Sequence, residues 1–184
     1  MKKFFLKKEI LNGVKVFERN LHEDVRGSFS KLYCPTELEK YFKLKSIKQI
    51  NFSKSKKIGS IRGMHFQKKP FQENKLITCI SGSAFDVAID LRKNSNTFLK
   101  WYSINLTSKN NISILIPKGF AHGFQSLANN TQLIYIHDQQ YEVEKESSVN
   151  PLDPAVNIKW PKPISNISKK DLNREYINNT FKGF

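Results

Sequence analysis

Lys75-Leu76-Ile77-Thr78-Cys79-Ile80-Ser81-Gly82-Ser83-Ala84-Phe85-Asp86-Val87-Ala88-Ile89-Asp90-Leu91 decides the fold. Two runs rich in β-branched and aromatic side chains, Lys75 to Ser81 and Ala84 to Leu91, are parted by the tight-turn signal Ser81-Gly82-Ser83 and read as strands. The punctuation recurs at Lys93-Asn94-Ser95-Asn96, Ser108-Lys109-Asn110-Asn111 and Ala128-Asn129-Asn130. Further strands are expected at Val14 to Phe17, Gly27 to Leu32, Ile47 to Ser53, Lys100 to Leu106, Ser113 to Ile116, Gly123 to Ser126 and Thr131 to His137. Short strands at this spacing predict an all-β sandwich or barrel.

Two segments read otherwise. Pro35 to Phe42 is expected to form a short surface helix with Thr36 as N-cap and acids in its first turn. The polar stretch from Ser168 onward is expected to be a loop or a frayed helix. One unit over residues 1–184 is expected, with a core of about 10–172 and a tail of 173–184.

Composition narrows the class. The 184 residues carry 39% hydrophobic and 12% aromatic side chains, enough to build a core. The longest apolar runs, such as Ile112 to Ile116, fall far short of a bilayer span, so no membrane partner is expected. At Met1-Lys2-Lys3-Phe4-Phe5-Leu6 the apolar stretch stops too early for a secretory leader, which favours the cytoplasm. The two cysteines, Cys34 and Cys79, form no CxxC pair and read as reduced, packed thiols. The net charge of +15 invites a nucleic-acid reading. It is spread along the chain and carried mainly by Lys, so attraction of a small anionic substrate is the preferred reading.

Of the four histidines, His65 and His122 sit in unusual settings. His65 alternates with apolar neighbours in Arg62-Gly63-Met64-His65-Phe66-Gln67, at a strand edge or adjoining turn. His122 lies in the aromatic turn Pro117-Lys118-Gly119-Phe120-Ala121-His122-Gly123. Taken alone, each reads as a structural imidazole. His22 and His137 have no distinguishing context. A metal site is disfavoured by the lack of an HxH pair followed by an acid.

In order and spacing these blocks resemble the dTDP-4-dehydrorhamnose 3,5-epimerase family. The matching stretches are Asp24 to Gly27, Gln49 to Asn51, Arg62 to Gln67, Lys75-Leu76, Phe85 to Arg92, Ile116 to Phe124, Leu133 to Tyr135, Asp153-Pro154, Trp160-Pro161 and Ile167 to Asp171. The resemblance covers roughly residues 10–172. It implies a cupin-like jelly-roll sandwich with short peripheral helices, acting as a homodimer on a nucleotide-linked 4-keto-6-deoxyhexose, with no cofactor and no metal. By the same resemblance His65 is the base, Asp171 its orienting partner, Tyr135 the proton donor and Lys75 the cation beside the sugar carbonyl. Arg26, Gln49, Asn51, Arg62, His122, Glu146 and Lys170 match substrate-contacting positions. The product would feed cell-surface polysaccharide synthesis.

Three departures bear on specificity. Lys31 stands where the family commonly has an acid. The segment before Lys75 reads Phe71-Gln72-Glu73-Asn74 where the family usually has a Gln-Gly or similar pair, and Asn74 can replace Gly at a left-handed position. One extra residue extends Lys56 to Ser60. A C3-only epimerase, an epimerase of another 4-keto sugar nucleotide and a non-catalytic sugar-nucleotide-binding module are the competing readings.

Overall fold

A computed structural model describes residues 4–41 and 47–184. Strands run in the order β1 (Phe4–Ile10), β2 (Val14–Arg19), β3 (Leu21–Asp24), β4 (Gly27–Ser30), β5 (Gln49–Ser55), β6 (Ile61–Gln67) and β7 (Lys75–Ser81). They continue with β8 (Ser83–Asp90), β9 (Trp101–Thr107), β10 (Ile112–Ile116), β11 (Phe120–Ser126), β12 (Thr131–His137) and β13 (Glu146–Ser148). Helices α1 (Pro35–Leu38) and α2 (Lys169–Leu172) have one turn each. Among the described residues no helix is long and apolar enough to cross a membrane.

The strands form a six-stranded sheet, β1-β2-β10-β7-β12-β5, a five-stranded sheet, β13-β6-β11-β8-β9, and the separate hairpin β3-β4. All pairings between named strands are antiparallel. The two large sheets pack face to face as the expected sandwich. Val14, Ile77, Ile114 and Leu133 of one meet Ala84, Ala88, Leu106, Phe120 and Phe124 of the other.

Alternation along each strand divides inside from outside. On β7 and β12, Ile77, Cys79 and Leu133 join that core, whereas Leu76 and Ile136 turn outward onto Phe4, Phe17 and Leu38. At the other end of the same inner face the side chains become polar: Lys75, Tyr135 and His137 line a cavity with Gln49 and Asn51 of β5. The space between the sheets is thus core at one end and binding site at the other.

Both outer faces are covered. Helix α1 packs Leu38 onto the six-stranded sheet. On the five-stranded sheet, Met64, Phe66, Val87 and Ile89 are covered by Val149, Val156 and the C-terminal residues Ile177, Phe181 and Phe184. The stretch from Ser168 is one helical turn followed by irregular chain, in line with the expected loop or frayed helix, and that chain is packed against the sheet. Phe184 exchanges backbone hydrogen bonds with Leu91 (2.9 Å) and Lys93 (3.0 Å), and its ring lies 4.8 Å from that of Phe66.

Other expectations are corrected in detail. Helix α1 is N-capped at Cys34, not Thr36, because Pro35 takes the first helical position; the expected end at Phe42 lies outside the described residues. Asn74 is not left-handed. Its backbone amide and side chain instead donate to Asp138 at 2.7 and 2.6 Å, which ties the loop ahead of β7 to the end of β12. Cys79 is buried as expected, and burial pushes its thiol up to about 11, whereas Cys34 is half-buried.

One contact needs glycine on both sides. A Cβ on Gly63 (φ +128°) would fall 2.5 Å from Gly123 Cα, and one on Gly123 would fall 2.5 Å from Met64 Sδ and 2.7 Å from the Arg62 carbonyl. This close approach lies where β6 and β11 shift register, and next to it His65 and His122 become direct cross-strand partners. Gly63→Ala is expected to lower stability by about 3 kcal/mol through overpacking and backbone strain. Urea unfolding checks this, and a loss below about 1 kcal/mol would contradict the steric account.

Candidate active site

The cavity opens between the sheets and measures about 740 Å³, ample for a nucleotide-sized ligand. His65, Tyr135, Asp171, Lys75, Gln49, Asn51, Arg62, His122, Glu146 and Lys170 all line it. Arg26 does not. It sits at the tip of the β3-β4 hairpin with its side chain 86% exposed and paired to Asp24 at 2.6 Å. Lys31 is likewise outside the cavity lining, 3.8 Å from Glu37.

His65 stands on β6 with its side chain part-exposed to the cavity and Nε2 2.8 Å from Asp171 Oδ1. Asp171 arrives from the far end of the chain on α2. A single turn has little stability of its own, so its position is imposed: Ser168 Oγ caps the Asp171 amide at 3.1 Å, and Asn150 Nδ2 holds the Leu172 and Arg174 carbonyls at 2.9 Å each. Burial pushes the Asp171 carboxyl up. Hydrogen bonds and charge from His65, with Ser168 and the Gly63 backbone, outweigh it and hold Asp171 below its ordinary value.

Tyr135 faces the cavity from β12, on the opposite sheet. Its hydroxyl lies 3.3 Å from Ser53 Oγ, its ring meets His122 edge-on at 5.8 Å and stacks with His137 at 6.2 Å. Burial raises its phenol well above the ordinary range, so it stays protonated at neutral pH. Lys75 is buried beside it, donating to the His65 carbonyl (3.1 Å) and lying 3.2 Å from Glu73 Oε1.

His122 is buried, with Nε2 2.8 Å from Oδ2 of the fully buried Asp86. Burial pushes Asp86 up and His122 down, against their mutual attraction, and so favours the uncharged pair. Among the described residues, Asp86 Oδ1 has no hydrogen-bond partner. At the mouth, Glu146 pairs with Lys170 and accepts from Tyr141 Oη at 2.6 Å. Arg62 donates to Ser55 Oγ and the Lys54 carbonyl, each at 3.2 Å. With Lys54, Lys56 and Lys57 also lining the cavity, this end is strongly positive and suits a phosphorylated ligand.

The profile of the dTDP-4-dehydrorhamnose 3,5-epimerase family matches residues 8–179. The chain belongs to this family. It is 38% identical to the dTDP-4-dehydrorhamnose 3,5-epimerase of Shigella flexneri over 161 residues, 87% of this chain and 88% of that one. Its fold superposes with a TM-score of 0.89 on the Bacillus anthracis epimerase solved with TDP and PPi bound, at 37% identity over 95% of this chain and 99% of that one. The epimerase of Legionella pneumophila in complex with dTDP-4-keto-L-rhamnose aligns with a TM-score of 0.85 and 33% identity, covering 91% and 89% of the two chains.

Three residues with no role read from the sequence stand close by: Glu73 and His137 line the cavity, and Asp86, outside that lining, pairs with His122. Their signal was periodicity. His137 follows Tyr135 by two on a strand, Glu73 precedes Lys75 by two, and Asp86 is an acid inside an apolar strand. Because the folded-state value of Asp171 is depressed, its stabilising contribution is complete above the unfolded carboxylate range near pH ~4 and is lost as acid titrates the folded protein. Asp171→Asn is therefore expected to be less stable than the parent at pH 7, with the difference shrinking from about pH 5 to pH 3. Urea midpoints across that range test it; a difference that widens in acid would refute the assignment.

Proposed function

We propose that the chain epimerises C3 and C5 of dTDP-4-dehydro-6-deoxyglucose by proton abstraction and reprotonation, without a cofactor. One observation carries this reading: a carboxylate-oriented imidazole, His65 with Asp171, projects from one sheet, and a protonated phenol, Tyr135, from the sheet facing it. A sugar ring lying between the sheets would have a base on one face and an acid on the other, which is what inversion at carbon requires.

The 4-keto group acidifies the hydrogens on C3 and C5. With Nε2 of His65 committed to Asp171, Nδ1 is the base atom that takes the proton, and the carboxylate stabilises the resulting imidazolium. The electron pair left on carbon delocalises to the ketone oxygen as an enolate. Lys75, with two of its three N–H groups engaged by the His65 carbonyl and Glu73, has the third for that oxyanion. Tyr135 then delivers its proton to carbon from the opposite face, inverting the centre; the phenolate recovers a proton from solvent and the His65 imidazolium releases one to it, which resets both groups for the second centre. Arg62 and Lys170 neutralise the diphosphate.

Incubation with dTDP-4-keto-6-deoxyglucose in D2O is expected to introduce deuterium at both C3 and C5, with His65→Ala slowed by about 10³-fold or more. Tyr135→Phe is expected to keep exchange but lose inversion. Deuterium at C3 alone would move the assignment to a 3-epimerase, and none from any 4-keto sugar nucleotide would favour a binding module.

The proposal includes a homodimer. Arg26, matched to a substrate-contacting position, lies outside its own chain's cavity, and the same hairpin exposes Phe29 while the edge strand β5 exposes Ile50 and Phe52. These features suit a second copy that receives Arg26 at its cavity. Mixing inactive His65→Ala with Arg26→Ala copies is then expected to restore about a quarter of parental activity, because half of the random dimers carry one intact site. No recovery from verified mixed dimers would refute a shared site.

A further inference from the structure

A continuous polar chain crosses one wall of the cavity. The backbone carbonyl of Gln139 accepts from Gln49 Nε2 at 2.9 Å, and Gln49 Oε1 accepts from Asn51 Nδ2 at 3.2 Å. The same Asn51 nitrogen lies 3.5 Å from His137 Nε2. His137 Nδ1 is 3.0 Å from Glu73 Oε2, and Glu73 Oε1 is 3.2 Å from Lys75 Nζ. Strand register builds the chain: His137 on β12 is the direct partner of Gln49 on β5 and of Lys75 on β7, and Tyr135 is the partner of Asn51.

The Gln139 carbonyl at one end of this chain can only accept, and that sets the directions that follow. A backbone carbonyl turns the Gln49 amide nitrogen toward Gln139 and leaves Gln49 Oε1 as the acceptor for Asn51. At the other end, burial pushes the Glu73 carboxyl up, but the hydrogen bond from His137 and the charge of Lys75 outweigh it and keep Glu73 ionised. Asn51 Nδ2, turned by Gln49, can only donate, so a hydrogen bond across its 3.5 Å to His137 Nε2 uses a lone pair there and sets the imidazole proton on Nδ1, facing Glu73. Nε2 therefore accepts the second hydrogen of the Asn51 amide. Asn51 Oδ1 is then the acceptor that Asn51 offers a ligand.

We propose that Glu73 and His137 are positioning residues that set the hydrogen-bonding polarity of this wall, holding Asn51 as an acceptor beside Lys75 as a donor, so that the site selects a ketone with a hydroxyl on the adjacent carbon. The ketone oxygen takes Lys75 Nζ, and the hydroxyl donates to Asn51 Oδ1. This specificity rests on the 4-keto sugar reading above. A ligand lacking the hydroxyl would cover Asn51 Oδ1 without pairing it, at the cost of one hydrogen bond.

Two measurements test the pair. In the first, the full-length protein carries 15N-histidine, and His137→Phe assigns the His137 resonances at pH 8. A protonated Nδ1 and an unprotonated Nε2 are expected for His137, with Glu73→Gln removing that preference; a proton on Nε2 in the parent protein would overturn the proposal. In the second, deuterium wash-in at C5 is followed for the 4-keto-6-deoxy sugar nucleotide and its 3-deoxy counterpart. The parent is expected to prefer the hydroxylated sugar by about 10-fold in kcat/KM. His137→Phe keeps a ring on Tyr135 but no nitrogen, and is expected to reduce that preference to about 2-fold or less, chiefly through KM. An undiminished preference would refute the positioning role. If the parent exchanges neither sugar, the functional reading fails, and the tautomer of His137 still decides the polarity of the wall.

Discussion

At Gly63 and Gly123 two strand backbones lie closer than any side chain allows, and the cavity is organised around that contact. The approach draws β6 against β11 where their register shifts, and it sets His65 directly across from His122. From there the two imidazoles take different partners: His65 is met by Asp171 from the C-terminal turn, and His122 by Asp86 from β8. A bulkier residue at either glycine would push the strands apart and separate the two histidines as well. The same position therefore serves packing and chemistry.

Three histidine–carboxylate pairs meet this cavity, each through its histidine, and burial separates their behaviour. Asp86 and His122 are wholly enclosed, so desolvation outweighs attraction and favours the neutral forms. Asp171 has its carboxylate buried but its partner His65 open to the cavity, so the imidazole is presented to a ligand with a carboxylate behind it. Glu73 with His137 also contacts Lys75 at 3.2 Å, so its carboxylate has two nitrogen partners. One type of pair thus stands in three different environments, which is what the proposed separate roles of a structural element, a base and a polarity-setting device require.

How much of this was legible in the sequence follows from where each interaction is encoded. Strands such as β7 and β12 were visible because their residues and flanking turns are local signals. Strands β8 and β11 are buried on both sides, since the C-terminal segment covers their outer face; they read as apolar runs whose alternation is obscured. Strand β1 carries exposed lysines and lies at a sheet edge, and β13 spans only three residues, so neither has a pattern that survives without its partner. The polar tail looked loose because its anchors, Ile177, Phe181 and Phe184, are sparse and their target lies far back in the sequence. His65 and Tyr135 could be assigned from ordered blocks. The Glu73–His137 contact joins residues 64 positions apart, and only the pairing of β7 with β12 brings them together.

The dependence of His65 on the C-terminal segment shows how a site can be built from an element too small to stand alone. One turn of helix cannot hold a carboxylate in place, yet Asp171 must be fixed within hydrogen-bond reach of a particular ring nitrogen. Ser168 fixes the start of the turn, Asn150 grips its last carbonyls, and Asp153 Oδ2 accepts from the Ile177 amide at 2.6 Å beyond it. Past that point, Phe181 and Phe184 bury their rings against the outer face of the sheet whose inner face carries His65. The aromatic anchors and the acid therefore grip the same sheet from its two sides. Ordering this segment costs conformational entropy, and the apolar contacts of the tail offset it, leaving the short span around Asp171 with little freedom to drift from the His65 ring it contacts.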